Sequence, residues 1–154
     1  MSKAKLVSMI GAAAAALAVS TVAYFEGTIR RTYVDPVGVL TSCTGHTGPE
    51  LKMGQTFTQE QCDEQLYRDL LKHADDLDCI TAPLTDGQKA ALLSMAFNLG
   101  RKQLCGSTLV KKLNMRDYKG AAEEFDRWVY AGGKRLPGLV ARRASERAMF
   151  EGNP

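Results

Sequence analysis

An uninterrupted run of twenty uncharged residues, from Leu6 to Phe25, constrains this chain more than any other feature. Lys3 and Lys5 precede the run, and Glu26 follows it directly. As an α-helix, such a run spans roughly 30 Å, which matches the hydrocarbon core of a bilayer. The sequence therefore predicts an N-terminal membrane segment, residues 1–25, followed by one folded domain, residues 26–154.

The membrane segment is weakly hydrophobic, because most of it is alanine and glycine, with Ser8, Ser20 and Thr21 interspersed. Such a helix inserts into a bilayer only marginally. The segment is open to three interpretations: a cleaved secretory signal, a permanent anchor, or an anchor that later leaves the bilayer. Weak hydrophobicity argues against a permanent anchor, and cleavage after Ala23 would strip the apolar support from around Glu26. We therefore favour the releasable anchor.

The composition of the whole chain is that of an ordinary globular protein, with 45% apolar and 24% charged residues. A net charge of +3 favours encounter with anionic polymers or membrane surfaces. The basic residues near the C-terminal end are separated by glycine, proline and apolar residues, so the pattern does not indicate nucleic-acid binding.

All the cysteines follow the membrane segment, and they are Cys43, Cys62, Cys79 and Cys105. An even number of cysteines suggests disulfides if the domain is exported. Their spacing includes no Cys-x-x-Cys pair and no Cys/His pattern typical of zinc, so we expect neither a metal nor another cofactor. Counting alone leaves the pairing open.

A catalytic signature begins where the uncharged run ends. Glu26 is followed after eight residues by Asp35, then after five more by Thr41, with Gly45 and His46 close behind. This pattern resembles the phage-type lysozymes of glycoside hydrolase family 24. The resemblance implies that Glu26 is a general acid, that Asp35 positions water or stabilises the transition state, and that Thr41 holds that water. It also implies hydrolysis with inversion, which places the two carboxyl groups roughly 6.5 to 9.5 Å apart.

The signature residues are predicted to lie on a helix end and a hairpin. Asp35-Pro36 and Gly38 are typical of turns, while Val37, Val39 and Thr41 alternate as in a strand. The pattern therefore places a helical glutamate opposite a strand-borne aspartate, as two-carboxylate cleavage of a glycosidic bond requires.

Two capping boxes mark the helices that follow. Thr58 with Gln61 begins a helix of some twenty residues reaching about Leu77, and Thr85 with Gln88 begins a strongly apolar helix ending near Gly100. Asp117 is a further candidate N-cap, and an arginine-rich helix closes the chain. The resemblance implies an α+β, mainly α, two-lobed fold. A small β-hairpin lobe is joined by the long helix to a helical C-terminal lobe, and the cleft lies between them.

The resemblance also suggests supporting residues. His46 is expected to pair with Asp69. Asn98 and Phe97 are expected to line the sugar-binding groove, and an arginine of the last helix is expected to approach Glu26. Phe97 also suits core packing, Trp128 fits either the core or a sugar platform, and His73 fits an exposed helix face. Two residues remain candidates for the arginine, Arg142 and Arg143. The implied disulfides join Cys43 to Cys62 and Cys79 to Cys105.

The resemblance extends to a narrower group, the signal-anchor-release endolysins, through the segments at residues 41–48 and 130–134. We therefore expect a monomeric endolysin that cleaves the β-1,4 bond between N-acetylmuramic acid and N-acetylglucosamine in peptidoglycan. It would be tethered to the periplasmic side of the host inner membrane through residues 6–25, inactive until it is released into the periplasm. The alternatives are a lytic transglycosylase and a non-catalytic, membrane-anchored peptidoglycan-binding protein.

Overall fold

The N-terminal apolar run folds as two helices in the computed structural model, which describes residues 2–153. Helices α1 (Ser2–Ile10) and α2 (Ala12–Glu26) meet at an angle of 118°. The break lies at Gly11, whose φ of 92° is a left-handed conformation that favours glycine. In this structure the run is thus two helices joined at a bend rather than one continuous helix.

Both N-terminal helices belong to the protein core. Leu6, Ala14, Ala18 and Val22 are completely buried in one apolar cluster with residues of the later helices. Within residues 2–153, no single helix is long and apolar enough to cross a membrane, although the bent α1 and α2 pair together meets that length and composition. The apolar face of α1 and α2 thus packs against the later helices. Such burial removes the face from water, as insertion into a bilayer also would.

The small lobe is built on an antiparallel hairpin of β1 (Ile29–Val34) and β2 (Leu40–Cys43). In its register Ile29 pairs with Cys43 and Tyr33 pairs with Thr41. The chain then loops back, so that Arg31 forms an isolated bridge with Thr56.

Helix α3 (Gln59–Ala74) connects the small lobe to the rest of the molecule. It starts with the predicted capping box, in which Thr58 and Gln61 bond each other's backbone N–H groups. The helix is shorter than expected from the leucine spacing, because the chain tightens into a 3₁₀ turn at Asp75–Cys79. The Cys43–Cys62 disulfide joins β2 to α3, as the resemblance implied.

The large lobe consists of α4 (Asp86–Leu99), α5 (Arg101–Cys105), α6 (Thr108–Asn114), α7 (Tyr118–Glu124) and α8 (Pro137–Phe150), with a minimal hairpin of β3 (Tyr130–Ala131) and β4 (Lys134–Arg135). Helix α4 opens with the predicted Thr85 and Gln88 capping box and lies at the centre of the lobe. The Cys79–Cys105 disulfide attaches α5 to the 3₁₀ turn after α3. The mainly helical, two-lobed α+β fold is confirmed.

Candidate active site

Glu26 is the last residue of α2, so its position is fixed by a helix packed in the core. The helix stops there because Gly27 takes a φ of 70°. The Glu26 side chain is 24% exposed, and its Oε2 accepts a 2.7 Å hydrogen bond from Nη1 of Arg142. The carboxyl group thus lies at the surface of the large lobe, held by α8.

Arg142, rather than Arg143, is the arginine that approaches Glu26. Its Nη2 donates to the carbonyl oxygen of Ser94 at 3.1 Å, and its guanidinium lies 5.8 Å from the centre of the Phe25 ring. These contacts orient the planar guanidinium group of Arg142 toward the Glu26 carboxylate.

Arg143 has a different place, beneath the site. It is fully buried, forms an ion pair with Glu146, and donates from Nη2 to Oδ1 of Asn98 at 3.0 Å. Burial raises the pKa of Glu146, while the neighbouring Arg143 and Arg142 lower it. This network supports α8 and the arginine that holds Glu26.

Asp35 lies in the hairpin turn, one residue beyond β1. The prediction of a strand-borne aspartate, with Val37 and Val39 in the following strand, is therefore wrong, since β2 begins at Leu40. The Oδ1 of Asp35 accepts hydrogen bonds from the backbone N–H groups of Val37, at 3.0 Å, and Val39, at 2.8 Å. Aspartate commonly closes turns in this way, and the turn fixes the orientation of its carboxylate.

Thr41 lies on β2 and is 4% exposed. Its hydroxyl donates to the carbonyl oxygen of Val39 at 2.9 Å. Because the proton is committed to that bond, the oxygen lone pairs are left to accept a hydrogen from another molecule.

Tyr33 is a residue of this region that the sequence pattern did not single out. It pairs with Thr41 in the hairpin register. Partial burial raises the pKa of Tyr33, and the negative charges of Glu26 and Asp35 raise it further. Tyr33 therefore lies close enough to both carboxylates to be influenced by their charge. The available signal was its position two residues before Asp35, next to the signature but outside it.

His46 joins the small lobe to α3. Its Nδ1 lies 2.8 Å from the Asp69 carboxylate, as the resemblance implied, and its Nε2 lies 2.6 Å from Glu50, a partner that was not expected. The pKa of His46 is raised, chiefly by the hydrogen bond with Asp69 and further by Glu50, against a lowering effect of burial. Both ring nitrogens therefore have carboxylate partners, and a structural role for His46 stays a prediction.

The other predicted residues differ in their exposure. Asn98 is exposed at the end of α4. Phe97 packs partly buried against the core, with its ring 5.5 Å from that of His73, which is itself half-buried rather than exposed. Trp128 also packs partly buried against the core. Contact of Asn98 or Phe97 with substrate stays a prediction.

A helical lobe that holds Glu26 and a hairpin lobe that carries Asp35 and Thr41 and contacts Glu26 at Gly45 are the features of a lysozyme-like protein. Comparison with known proteins agrees. The family model described as phage lysozyme matches residues 23–146, and the chain belongs to this family.

Relatives and solved structures give the same result. A SAR-endolysin of Bacteriophage PS119 is 41% identical over 79% of this chain and 74% of its own length. A SAR-endolysin of Escherichia phage Mu is 42% identical over 77% of this chain and 69% of its own. The structure of a P22 lysozyme matches with a TM-score of 0.80 and 33% identity, covering 87% of this chain and 94% of that one.

Proposed function

We propose that this chain is an endolysin that hydrolyses the β-1,4 bond between N-acetylmuramic acid and N-acetylglucosamine in peptidoglycan. The observation that carries the proposal is the position of Glu26, whose one carboxyl oxygen is held by Arg142 while the other faces Gly45 of the small lobe, the lobe that carries Asp35 and Thr41. Membership of the phage lysozyme family and the SAR-endolysin relatives support it.

In this mechanism Glu26 protonates the oxygen of the leaving sugar. Asp35 and Thr41 bind the attacking water on the opposite side of the sugar ring. The Thr41 hydroxyl accepts a hydrogen bond from that water, since its own O–H donates to the carbonyl oxygen of Val39. Oδ2 of Asp35 takes part in neither turn bond, and we assign it as the base that takes the other proton of the water while the water oxygen bonds to the anomeric carbon and the glycosidic bond breaks. Displacement by this water inverts the anomeric carbon.

Residues 6–25 provide the control over activity. While the uncharged run lies in the bilayer, Glu26 is held at the membrane surface and cannot form its bond with Arg142. Loss of the membrane potential lets this weak anchor leave the bilayer, and the run then packs as α1 and α2. The protein thereby passes from the periplasmic side of the host inner membrane to the periplasm as an active monomer. The two-helix packing of this run against the core supports the proposal.

The chemistry is tested by digesting purified peptidoglycan and identifying the sugar ends by mass spectrometry. We expect reducing ends from the wild type, none from Glu26→Gln, and wild-type activity from Glu123→Gln, which makes the same change at an exposed position of α7. Anhydro ends would instead identify a lytic transglycosylase. If the folded wild type cleaves no peptidoglycan, the result would favour a non-catalytic peptidoglycan-binding protein.

The release step is tested by strengthening the anchor without altering the folded enzyme. Ala12, Ala13 and Ala16 are exposed in the structure, so leucine at all three raises the hydrophobicity of the run while sparing its buried face. We expect this variant to stay in the membrane fraction and to lyse cells late or not at all after depolarisation. After detergent extraction and refolding it should digest peptidoglycan normally. Unchanged release and lysis would contradict the release mechanism.

A further inference from the structure

Gly45 lies directly against the carboxyl group of Glu26. A Cβ atom built on Gly45 would be 3.0 Å from Oε1 of Glu26 and 3.4 Å from its Cδ. Few side-chain carbons come so close to another atom in well-packed proteins. Gly45 also takes a φ of 71°, so its backbone conformation and its missing side chain are both needed.

The loop that carries Gly45, residues 42–46, is fixed in place. Ser42 and His46 exchange two backbone hydrogen bonds of 2.9 Å each, which close the loop on itself. Three further bonds attach it to α3: the Cys43–Cys62 disulfide, the bond from Ser42 Oγ to Gln65 and the His46–Asp69 pair. If a side chain at position 45 contacts Glu26, the loop is therefore held in place and the Glu26 side chain has to move.

The opposite side of the Glu26 carboxyl group is equally fixed. Arg142 bonds Oε2, and the arginine is only 5% exposed and held by Ser94. One oxygen thus faces the 42–46 loop of the small lobe, and the other faces α8 of the large lobe. We propose that Gly45 is a positioning residue, whose bare backbone sets the place of the general acid against Arg142.

This inference rests on the proposed function, since it assigns Gly45 through the role of Glu26. A Cβ at position 45 requires the carboxyl group to move by a few tenths of an ångström, away from the loop. A misplacement of about 1 Å can reduce the rate of catalysis roughly 100-fold. For the smaller shift at Glu26 we expect about a tenfold fall in kcat, with KM nearly unchanged because no substrate contact is removed.

The experiment compares two glycines with left-handed backbones. Gly45→Ala adds both backbone strain and the contact with Glu26. Gly54→Ala adds strain alone, because Gly54 has a φ of 89° and no atom within 4 Å of its built Cβ. Gly45→Asn is the second test variant, since asparagine tolerates this conformation better yet still carries a Cβ. We expect both position 45 variants to lose kcat at 25 °C and Gly54→Ala to keep it.

A stability cycle gives a readout that does not depend on activity. Strain alone should lower the Tm by about 2 to 5 °C for Gly54→Ala, with a larger fall for Gly45→Ala. In a Glu26→Ala background the extra fall should disappear, because the atoms that met the new Cβ are gone. If it persists, or if kcat of the folded position 45 variants is unchanged, the proposal is overturned. A wild type without lysozyme activity would instead refute the proposed function, and the cycle would still report the contact.

Discussion

The two lobes are stabilised by different means. In the large lobe most fully buried side chains are apolar, among them Leu92, Leu93, Leu113 and Phe125, although the Arg143–Glu146 ion pair and Ser94 are fully buried there too. In the small lobe the buried residues are mostly polar, and they are Thr32, Thr41, Ser42, Thr44 and His46 beside Cys43 and Leu51. A two-stranded hairpin is marginal by itself in water, so this lobe depends on a disulfide and on hydrogen bonds to α3. The carboxylate of Asp35 belongs to the lobe held by specific bonds, while Glu26 belongs to the lobe held by apolar packing.

The largest loss of unfolding free energy is expected from Leu93→Ala, in the centre of α4. Removing a fully buried leucine side chain leaves a cavity and should cost about 3 to 4 kcal/mol of unfolding free energy, measured by urea denaturation. The specific activity of the remaining folded protein at 25 °C should be preserved, because no contact of the small lobe changes. Loss of activity without unfolding would show that the lobes are not separable in this way.

Removal of the Cys43–Cys62 disulfide, by serine at both positions, should cost about 3 kcal/mol and also reduce the activity of folded protein. The matched control is serine at Cys79 and Cys105, whose disulfide closes a loop of similar length, with a sequence separation of 26 against 19. The control should lose similar stability but keep its activity. Equal activity losses in the two variants would contradict a special dependence of the site on the small-lobe disulfide.

His46→Asn should cost about 2 kcal/mol near pH 6, because it removes charge-assisted hydrogen bonds to Asp69 and Glu50. The pKa of His46 is raised in the folded protein, so its stabilising effect is present below the ordinary value near 6.5 and is lost as pH rises through the folded value. The difference in Tm between wild type and variant should therefore shrink from pH 6 to pH 9. A difference that grows with pH would be inconsistent with the charged pairing.

The smallest expected effect is a shift in the titration of Tyr33. Because the Glu26 charge contributes to the raised pKa of this phenol, Glu26→Gln should lower that pKa, measured by the carbon NMR signal of the ring. Glu123→Gln is the control and should leave the titration unchanged. The same Tyr33 titration curve in wild type and Glu26→Gln would mean that the two lobes do not converge electrostatically.

Local signals in the sequence were sufficient for several elements. The capping boxes at Thr58 and Thr85 and the Asp117 N-cap were readable because a cap involves residues only three apart. The resemblance added the disulfide pairs and the His46–Asp69 contact, which no local pattern contains. The hairpin strand was misjudged at Val37 and Val39, because alternation favoured a strand where the side chain of Asp35 organises a turn.

The sequence by itself determined the helix starts after Thr58, Thr85 and Asp117, the spacing of Glu26, Asp35 and Thr41, and an uncharged run long enough to enter a bilayer. The tertiary structure decided that this run bends at Gly11 and joins the core, since helix packing chooses the bend that buries its apolar face. It also decided that Arg142 rather than Arg143 holds Glu26, because adjacent residues on a helix point about 100° apart and only Arg142 points toward Glu26. Contacts between residues distant in sequence arise only when the elements pack, and so no spacing along the chain contains them.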